Sequence, residues 1–161
     1  MTDINIVNAN YKNKQHAEDL VFLLNRYAAD SAGGGKSLNS FVKDNLIAEL
    51  AKLPFAFSIL AYVEEKPAGL INCFTVFSTF ECKPVVNIHD LAVLKKYRKQ
   101  GISQLMLKKV EQIARRKNAC KITLEVLENN IPARKAYTKF GFIDFQLDPQ
   151  YGNAVFLKKD L

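Results

Sequence analysis

The alternation of apolar and polar residues divides the chain into strands and helices. Short apolar or alternating runs predict strands over 4–7, 57–63, 68–77, 85–93 and 121–127. Apolar residues at helical spacing predict helices over 16–29, 39–53, 102–117 and 130–139. Two more short apolar runs predict closing strands over 142–145 and 154–157. The predicted order is therefore β-α-α-β-β-β-α-β-α-β-β.

This order predicts an α/β fold of the mixed α+β kind, in which helices flank a central, mixed and mostly antiparallel sheet. Three strands follow one another in the middle of the chain, which favours antiparallel pairing. The strand-helix-strand unit over 85–127 favours one parallel pair joined by a right-handed crossover. Because no repeat or linker interrupts the pattern, we expect residues 1–161 to form a single domain.

The junction between the predicted strand 85–93 and the helix after it is the most informative local feature. Residues 97–103 read Tyr-Arg-Lys-Gln-Gly-Ile-Ser. A turn that contains glycine and leads into a helix presents unpaired backbone N–H groups at the positive end of the helix dipole. Arg98 and Lys99 add positive charge beside them. The junction predicts a site for a phosphate-bearing cofactor, and the alternative is an ordinary turn that binds nothing.

A second glycine-rich segment, Gly33-Gly34-Gly35-Lys36-Ser37, is similar to the end of a P-loop. The full pattern needs a glycine where Asp30 stands, and it needs a preceding strand where this chain has a helical pattern. We therefore reject a nucleoside triphosphatase. The segment is interpreted as a mobile connection or as a lid over a substrate cleft.

Charge and composition exclude several classes of protein. A formal net charge of +7 would fit nucleic-acid binding, but the lysines are spread out and the densest basic group belongs to the 97–103 turn and its helix. We therefore expect no nucleic-acid partner. No apolar run approaches the ~20 residues that span a bilayer, so we expect no association with a membrane. The N-terminus lacks a secretory pattern, so we expect a cytoplasmic location. The three cysteines, Cys73, Cys82 and Cys120, are too scattered for a zinc site, and we expect no metal.

Two segments resemble the GNAT superfamily of N-acetyltransferases, which use acetyl-CoA. The family's cofactor signature is Arg or Gln, two residues, Gly, one residue, then Gly or Ala; it matches Arg98-Lys99-Gln100-Gly101, and Ser103 departs from its last position. Residues 130–142, from Asn-Ile-Pro-Ala-Arg to Phe-Gly-Phe, resemble a second family segment. Leu91-Ala92-Val93 resembles the family's strand before the turn. The resemblance covers about residues 57–145 and implies a GNAT-like fold.

The resemblance also implies how acetyl-CoA is held. Amides near Lys99 to Ser103 would bind the pyrophosphate, and backbone groups near Leu91 and Val93 would pair with the pantetheine arm like an added strand. The family has a gap between the strands equivalent to 85–93 and 121–127 that admits this arm. A backbone N–H near Val93 would polarise the thioester carbonyl. The implied cofactor-binding residues are Leu91, Ala92, Val93, Arg98, Lys99, Gln100, Gly101, Ile102, Ser103 and Asn130, the last of which also has the place of a helix cap.

Acetyl transfer needs a base for the attacking amine and a proton donor for the departing thiolate. Tyr137 resembles the family's tyrosine near the CoA sulfur and is the expected general acid. His89 resembles the position where several family members carry a glutamate base, and Asp90 is expected to bind the substrate ammonium or to orient a water. Because His89 and Asp90 are adjacent on a strand, we expect them on opposite faces. Glu125 is a third candidate base on the neighbouring strand.

The activity implied by the resemblance is direct transfer of the acetyl group of acetyl-CoA to a primary amine. A small-molecule amine is preferred as the partner, because Phe77-Ser78-Thr79-Phe80 followed by His89-Asp90-Leu91 resembles polyamine acetyltransferases. One alternative is a protein lysine or N-terminal acetyltransferase. The alternative of another class is a CoA-binding regulatory module without turnover. Assembly as a homodimer is left open.

Overall fold

The computed structural model describes residues 3–145, 148, 150, 152 and 154–161. Over these residues the elements are β1 (Ile4–Asn8), α1 (Lys14–Ala29), α2 (Ser40–Ala51), β2 (Ala56–Val63), β3 (Lys66–Ser78), β4 (Lys83–Val93), α3 (Ile102–Arg116), β5 (Lys121–Leu124) and α4 (Ile131–Phe140). The predicted order is confirmed from the first strand to the last helix. None of the helices in the described part of the chain is both long and apolar enough to cross a membrane.

The five strands form one sheet in the order β1-β2-β3-β4-β5. The first three neighbouring pairs are antiparallel, and β4 pairs with β5 in parallel. The parallel ladder is short: it joins Val85 with Lys121 at one end and Ile88 with Leu124 at the other. The structure thus confirms a mixed, mostly antiparallel sheet with one parallel pair.

Both faces of the sheet are covered because successive strand residues point to opposite sides. Ile59 and Ile71 pack under α3, where Met106 is fully buried. Their neighbours Leu60 and Leu70 point the other way and pack with leucines of α1 and α2. Each fully buried leucine or isoleucine contributes about 1.5–3 kcal/mol by leaving water. The sheet is therefore held between an α1/α2 layer and a layer that contains α3 and α4.

The helices differ in how they begin. The side chains of Asn13, Asn39 and Asn130 each accept a hydrogen bond from an amide in the first turn, at 3.0, 2.8 and 3.4 Å. This is the usual asparagine cap. Helix α3 instead begins after Gly101, which has no side chain to cap it. Its first amides are therefore left without a side-chain partner.

The predictions for the C-terminal part were wrong in two respects. The strand predicted over 121–127 ends at Leu124, and no strand forms over 142–145 or 154–157. Phe142 packs against the core, but the apolar side chains that follow it stay exposed: Ile143 is 91% exposed and Phe156 is 77% exposed. Alternating apolar residues favour a strand only when one face is buried, and beyond Phe142 the two runs do not gain that burial.

Candidate active site

A gap opens between β4 and β5 on the parallel side of the sheet. The last paired residues are Ile88 and Leu124, yet β4 continues to Val93, five residues further. In the part of the chain that the structure describes, no strand pairs with residues 89–93 on that side. Glu125, predicted on β5, lies beyond the end of this strand and is exposed. The ladder between β4 and β5 thus ends where the family resemblance implied a gap.

A β-bulge marks the residue at which the two strands part. Asn72 pairs with Asp90, whereas its neighbour Cys73 pairs with Ile88, so His89 is an extra residue on β4. A bulge bends its strand and shifts the alternation of the residues that follow by one position. On β4 it falls directly after Ile88, the last residue paired with β5.

This bulge overturns the expectation that His89 and Asp90 point to opposite faces. The Asp90 carboxylate accepts a hydrogen bond from Asn72 Nδ2 at 3.0 Å. The His89 ring packs edge-on against Phe74, with 5.4 Å between ring centroids. Since Asn72 and Phe74 lie two residues apart on β3, they share a face. Both candidates therefore lie on the α1/α2 face of the sheet.

The backbone of β4 beyond the bulge faces the gap at alternate residues. Leu94 donates its N–H to the carbonyl of Ala68 at 2.9 Å, so this amide points toward β3. Successive residues of an extended strand point their backbone groups to alternate sides. Ala92 therefore faces β3 as Leu94 does, whereas the N–H groups of Leu91 and Val93 face the gap.

The turn that follows β4 is shaped by two residues in the left-handed region. Lys99 has a φ of 64° and Gly101 a φ of 78°. Helix α3 starts immediately afterwards, and among the described residues the amides of 99–104 have no acceptor. Converging free amides at a helix start favour an anion. Apart from Gly101 and its two chain neighbours, no atom of the described residues lies within 4 Å of a Cβ built on Gly101, so the backbone angle, not crowding, calls for glycine there.

Arg98 contributes less free charge to this turn than its sequence position suggests. Its Nε donates to the carbonyl of Val93 at 2.9 Å, and its Nη2 donates to Asp30 Oδ2 at 3.0 Å. Lys95 Nζ lies 3.6 Å from the other oxygen of Asp30. The hydrogen bond from Arg98 lowers the pKa of Asp30, helped by the charge of Lys95 and opposed by desolvation. Asp30 therefore ties the end of α1 to the turn.

The remaining predicted residues of the turn differ in what they expose. Ile102 is 1% exposed and packs into the core, so only its backbone faces outward. Ser103 is half-buried in the first turn of α3. Gln100 is exposed and its side chain donates to the carbonyl of Lys96 at 3.4 Å.

Helix α4 brings Tyr137 and Asn130 to the other layer. Tyr137 is half-buried against the core under α3, and its ring lies 5.9 Å from that of Phe142. Burial raises the pKa of Tyr137 to about 12, and Tyr27 adds a smaller contribution. Asn130 caps the helix through its Oδ1. A hydrogen bond of 2.9 Å from Gln104 on α3 to a carbonyl of α4 fixes the two helices together.

Tyr27, in the last turn of α1, is a site residue that the sequence did not suggest. Burial raises the pKa of Tyr27, and the negative charges of Asp90 and Asp30 raise it further. Tyr27 acts in turn on Tyr137. Tyr27 therefore lies near enough to Asp90, Asp30 and Tyr137 for their charges to influence one another.

Two buried polar residues on the strands also escaped the sequence interpretation. Asn72 and Ser58 are 4% and 1% exposed, and they hydrogen-bond to each other at 2.6 Å. Each interrupts a run of apolar residues within its strand, and this interruption was the available signal. A separate cleft of about 290 Å³ between α3, β5 and the end of α4 is lined by none of the catalytic candidates.

Comparison with known proteins places the chain in a family. Residues 38–142, well over half of the chain, match the model of the acetyltransferase (GNAT) family. A curated relative, a putative ribosomal protein bS18 alanine N-acetyltransferase of Bacillus subtilis (strain 168), is 26% identical over 101 residues. The match covers 63% of each chain, so this chain spans about three fifths of that relative's length.

Solved structures share the fold over nearly the whole chain. An aminoglycoside acetyltransferase from an uncultured soil metagenomic sample superposes with a TM-score of 0.80 at 17% identity, covering 98% of this chain and 96% of that one. The aminoglycoside N-acetyltransferase AAC(6')-Iy in complex with CoA gives 0.75 at 15% identity, covering 100% and 97%. At such identities the likeness shows the fold, and the family match shows the membership. The chain belongs to the acetyltransferase (GNAT) family.

Proposed function

We propose that this protein is an acetyl-CoA-dependent N-acetyltransferase that acts on a small primary amine. The observation that carries the proposal is the unpaired end of β4, which leads directly into a turn with free amides. A cofactor with a pyrophosphate at one end and a hydrogen-bonding arm at the other matches these two features. The family membership supports the same assignment.

The residues present fit the CoA part of acetyl-CoA. The amides of Lys99 to Ser103 would hold the pyrophosphate, with the left-handed Gly101 letting the ligand approach the backbone. The gap-facing N–H groups of Leu91 and Val93 would pair with amide groups of the pantetheine arm. Asn130, whose Oδ1 already caps α4, keeps its NH₂ group available for a polar contact. Arg98 serves this site by fixing the turn to the end of β4.

Acetyl-CoA, when bound, supplies a thioester: the amine nitrogen bonds to the acetyl carbon as the carbon–sulfur bond breaks, giving an amide and the free thiol of CoA. Tyr137, with a pKa raised to about 12, stays protonated at neutral pH. Its pKa lies above that of an ordinary thiol, about 8.5. Tyr137 therefore assists as a hydrogen-bond donor to the developing thiolate.

Asp90 and His89 on β4 contact the amine, which approaches on the α1/α2 face of the sheet. Asp90 binds the ammonium group through its carboxylate, and His89, one residue away and exposed, accepts the proton that the amine must lose before it attacks. The bulge supports this division of roles because it places both side chains on one face. A general base and an ammonium site are needed together, since amines with a pKa near ~10 are mostly protonated at neutral pH.

A small molecule is the preferred acceptor over a protein. The structural neighbours that share the fold over nearly the whole chain include aminoglycoside acetyltransferases, which supports a small polyamine or amino sugar. The curated relative named for a ribosomal protein alanine favours the alternative, a peptide N-terminus. The two acceptors share one chemistry, a primary ammonium group.

The test is a thiol-release assay with acetyl-CoA and a panel of acceptors, with acetylated products identified by mass spectrometry. Spermidine and kanamycin represent small amines, and peptides with N-terminal alanine or internal lysine represent proteins. Faster turnover of a small amine is expected. Faster turnover of a peptide would move the acceptor to proteins, and CoA binding without turnover of any acceptor would overturn the enzymatic assignment.

A further inference from the structure

A chain of hydrogen bonds crosses β2, β3 and β4 on the α1/α2 face and ends at Asp90. The Tyr11 hydroxyl lies 2.9 Å from Ser58 Oγ, Ser58 Oγ lies 2.6 Å from Asn72 Oδ1, and Asn72 Nδ2 lies 3.0 Å from Asp90 Oδ2. Burial raises the pKa of Tyr11, although its bond to Ser58 opposes the shift. The four side chains form one continuous polar row.

The direction of these bonds is fixed by chemistry. An ionised carboxylate only accepts, so Asn72 must turn its NH₂ group toward Asp90 and its oxygen toward Ser58. Ser58 then has to donate its one proton to that oxygen. With this proton used, Tyr11 has to donate to Ser58. Every donor in the row therefore points toward Asp90.

Packing alone does not account for the row. Leu60 and Leu70 occupy the same face of the same strands, two residues from Ser58 and Asn72, and both are fully buried. A leucine would thus suit this layer, whereas a buried polar group costs free energy unless it is fully hydrogen-bonded. The bulge at His89 adds the second observation, because without it the alternation of β4 would put Asp90 on the other face.

This arrangement leaves one carboxylate oxygen of Asp90 available for a ligand. Asn72 occupies Oδ2 of Asp90, and Oδ1 has no hydrogen-bond partner among the described residues. A carboxylate held through one oxygen presents the other in a fixed direction. A primary ammonium group, with three donors, is the ligand that suits such an oxygen.

We propose that Asn72, set by Ser58 and Tyr11, is a positioning residue that holds the Asp90 carboxylate for the ammonium group of the acceptor. The proposal rests on the proposed N-acetyltransferase function and adds the residues that fix its amine site. It applies equally to a small amine and to a peptide amine, because both present the same charged group.

A double-mutant cycle tests whether Asn72 acts through Asp90. Asn72→Leu, an apolar replacement suited to this layer, is expected to lower kcat/KM for the best amine of the panel about tenfold, with the CoA affinity measured by calorimetry unchanged. Asp90→Asn should cost more. In the Asp90→Asn background, Asn72→Leu should have no further effect within about twofold, because coupled residues are not additive.

Thr75→Val is the matched control. Thr75 lies on β3 like Asn72, but its buried hydroxyl has no hydrogen-bond partner among the described residues. Its replacement should leave kcat/KM for the amine unchanged. Ser58→Ala and Tyr11→Phe, which shorten the row from its far end, should lower kcat/KM less than Asn72→Leu does. Tyr11→Phe, at the residue farthest from Asp90, should lower it least.

The outcomes separate the two proposals. If the wild-type protein acetylates an amine but the two substitutions are additive, Asn72 has only a structural role and the positioning proposal fails. Loss of CoA affinity together with amine turnover in Asn72→Leu leads to the same conclusion. If the wild-type protein binds CoA and acetylates no amine or peptide, the proposed function fails and the positioning proposal fails with it.

Discussion

Arg98 and Asp30 are joined by an ion pair in which Nη2 of the guanidinium donates to Oδ2 of the carboxylate at 3.0 Å. The two residues are 68 positions apart in the chain. The Asp30 side chain is 17% exposed, and Lys95 lies near its second oxygen. Asp30 therefore connects the end of α1 to the turn before α3, and it offsets part of the positive charge that this turn presents.

Removing that negative charge should strengthen CoA binding. Asp30→Asn keeps an oxygen for Arg98 but leaves Arg98 and Lys95 uncompensated beside the proposed pyrophosphate site. We expect the Kd for CoA to fall about two- to fivefold at low ionic strength, with the gain lost near 1 M salt, where the Debye length is about 3 Å. Isothermal titration calorimetry at both salt concentrations measures it. Glu111→Gln, which breaks a surface pair with Arg115, is the control; an equal gain there would mean that net charge alone is responsible.

The same pair should make stability depend on pH in the acid range. Arg98 lowers the pKa of Asp30 in the folded protein, below the value of about 3.9 for an unfolded aspartate. The unfolded state then binds more protons near pH 4, so stability rises with pH there. This contribution is complete above about pH 4 and disappears as the pH falls through the folded pKa. The difference in Tm between wild type and Asp30→Asn should therefore shrink progressively as the pH falls from 6 toward 2. A constant difference would contradict the assignment.

Gly101 should be required for CoA binding beyond its effect on stability. A glutamate there has to adopt a φ near 78° and adds negative charge beside the free amides. We expect Gly101→Glu to abolish measurable CoA binding. Gly35→Glu is the matched control because Gly35 has a φ of 74° and equally open surroundings. Both variants should lose stability by about 1–2 kcal/mol, but only the first should lose CoA, as calorimetry would reveal.

Tyr137→Phe should lower turnover more than affinity. Without the hydroxyl the developing thiolate loses its hydrogen-bond donor. Removing one donor to a developing negative charge typically costs about 10²–10³-fold in kcat, so we expect a fall in kcat of about a hundredfold with the Kd for CoA within about twofold. Because its pKa is raised to about 12, the wild-type rate should show no decline from tyrosine ionisation up to about pH 10. Tyr62→Phe, which removes another partly buried hydroxyl, should affect Tm and not kcat. Equal kcat for Tyr137→Phe and wild type would remove the acid role.

The sequence was sufficient for the order of the elements through α4 and for the pairing of the middle strands and of the one parallel pair, but not for the pairing of β1 with β2. Long apolar periodicities, asparagine caps and the Gly101 turn depend on neighbours a few residues away, and these local rules held. The C-terminal runs did not follow them, because strand formation over 142–145 and 154–157 depends on a partner surface that local pattern cannot specify.

The arrangement around β4 depended on register, which sequence alternation does not reveal. The bulge at His89 shifts every later residue by one position, so a correct strand prediction still placed His89 and Asp90 on opposite faces, although they share one. Asp30 reaches the turn before α3 through an ion pair between segments 68 positions apart in the chain, which local pattern does not reveal. Asn72 and Ser58 offered a readable signal, since polar residues inside apolar strands require partners.

The early end of β5, at Leu124, implies a trade-off between thermal stability and activity. Residues 125–127 carry the strand pattern of β5, and a variant in which they continued the parallel ladder would gain backbone hydrogen bonds along residues 89–93 of β4. Such a protein would melt at a higher temperature, but the added strand would fill the gap that we propose for the pantetheine arm of acetyl-CoA. Directed evolution for heat resistance alone should therefore select variants in which residues 125–127 pair with β4 and in which acetyltransferase activity is lost.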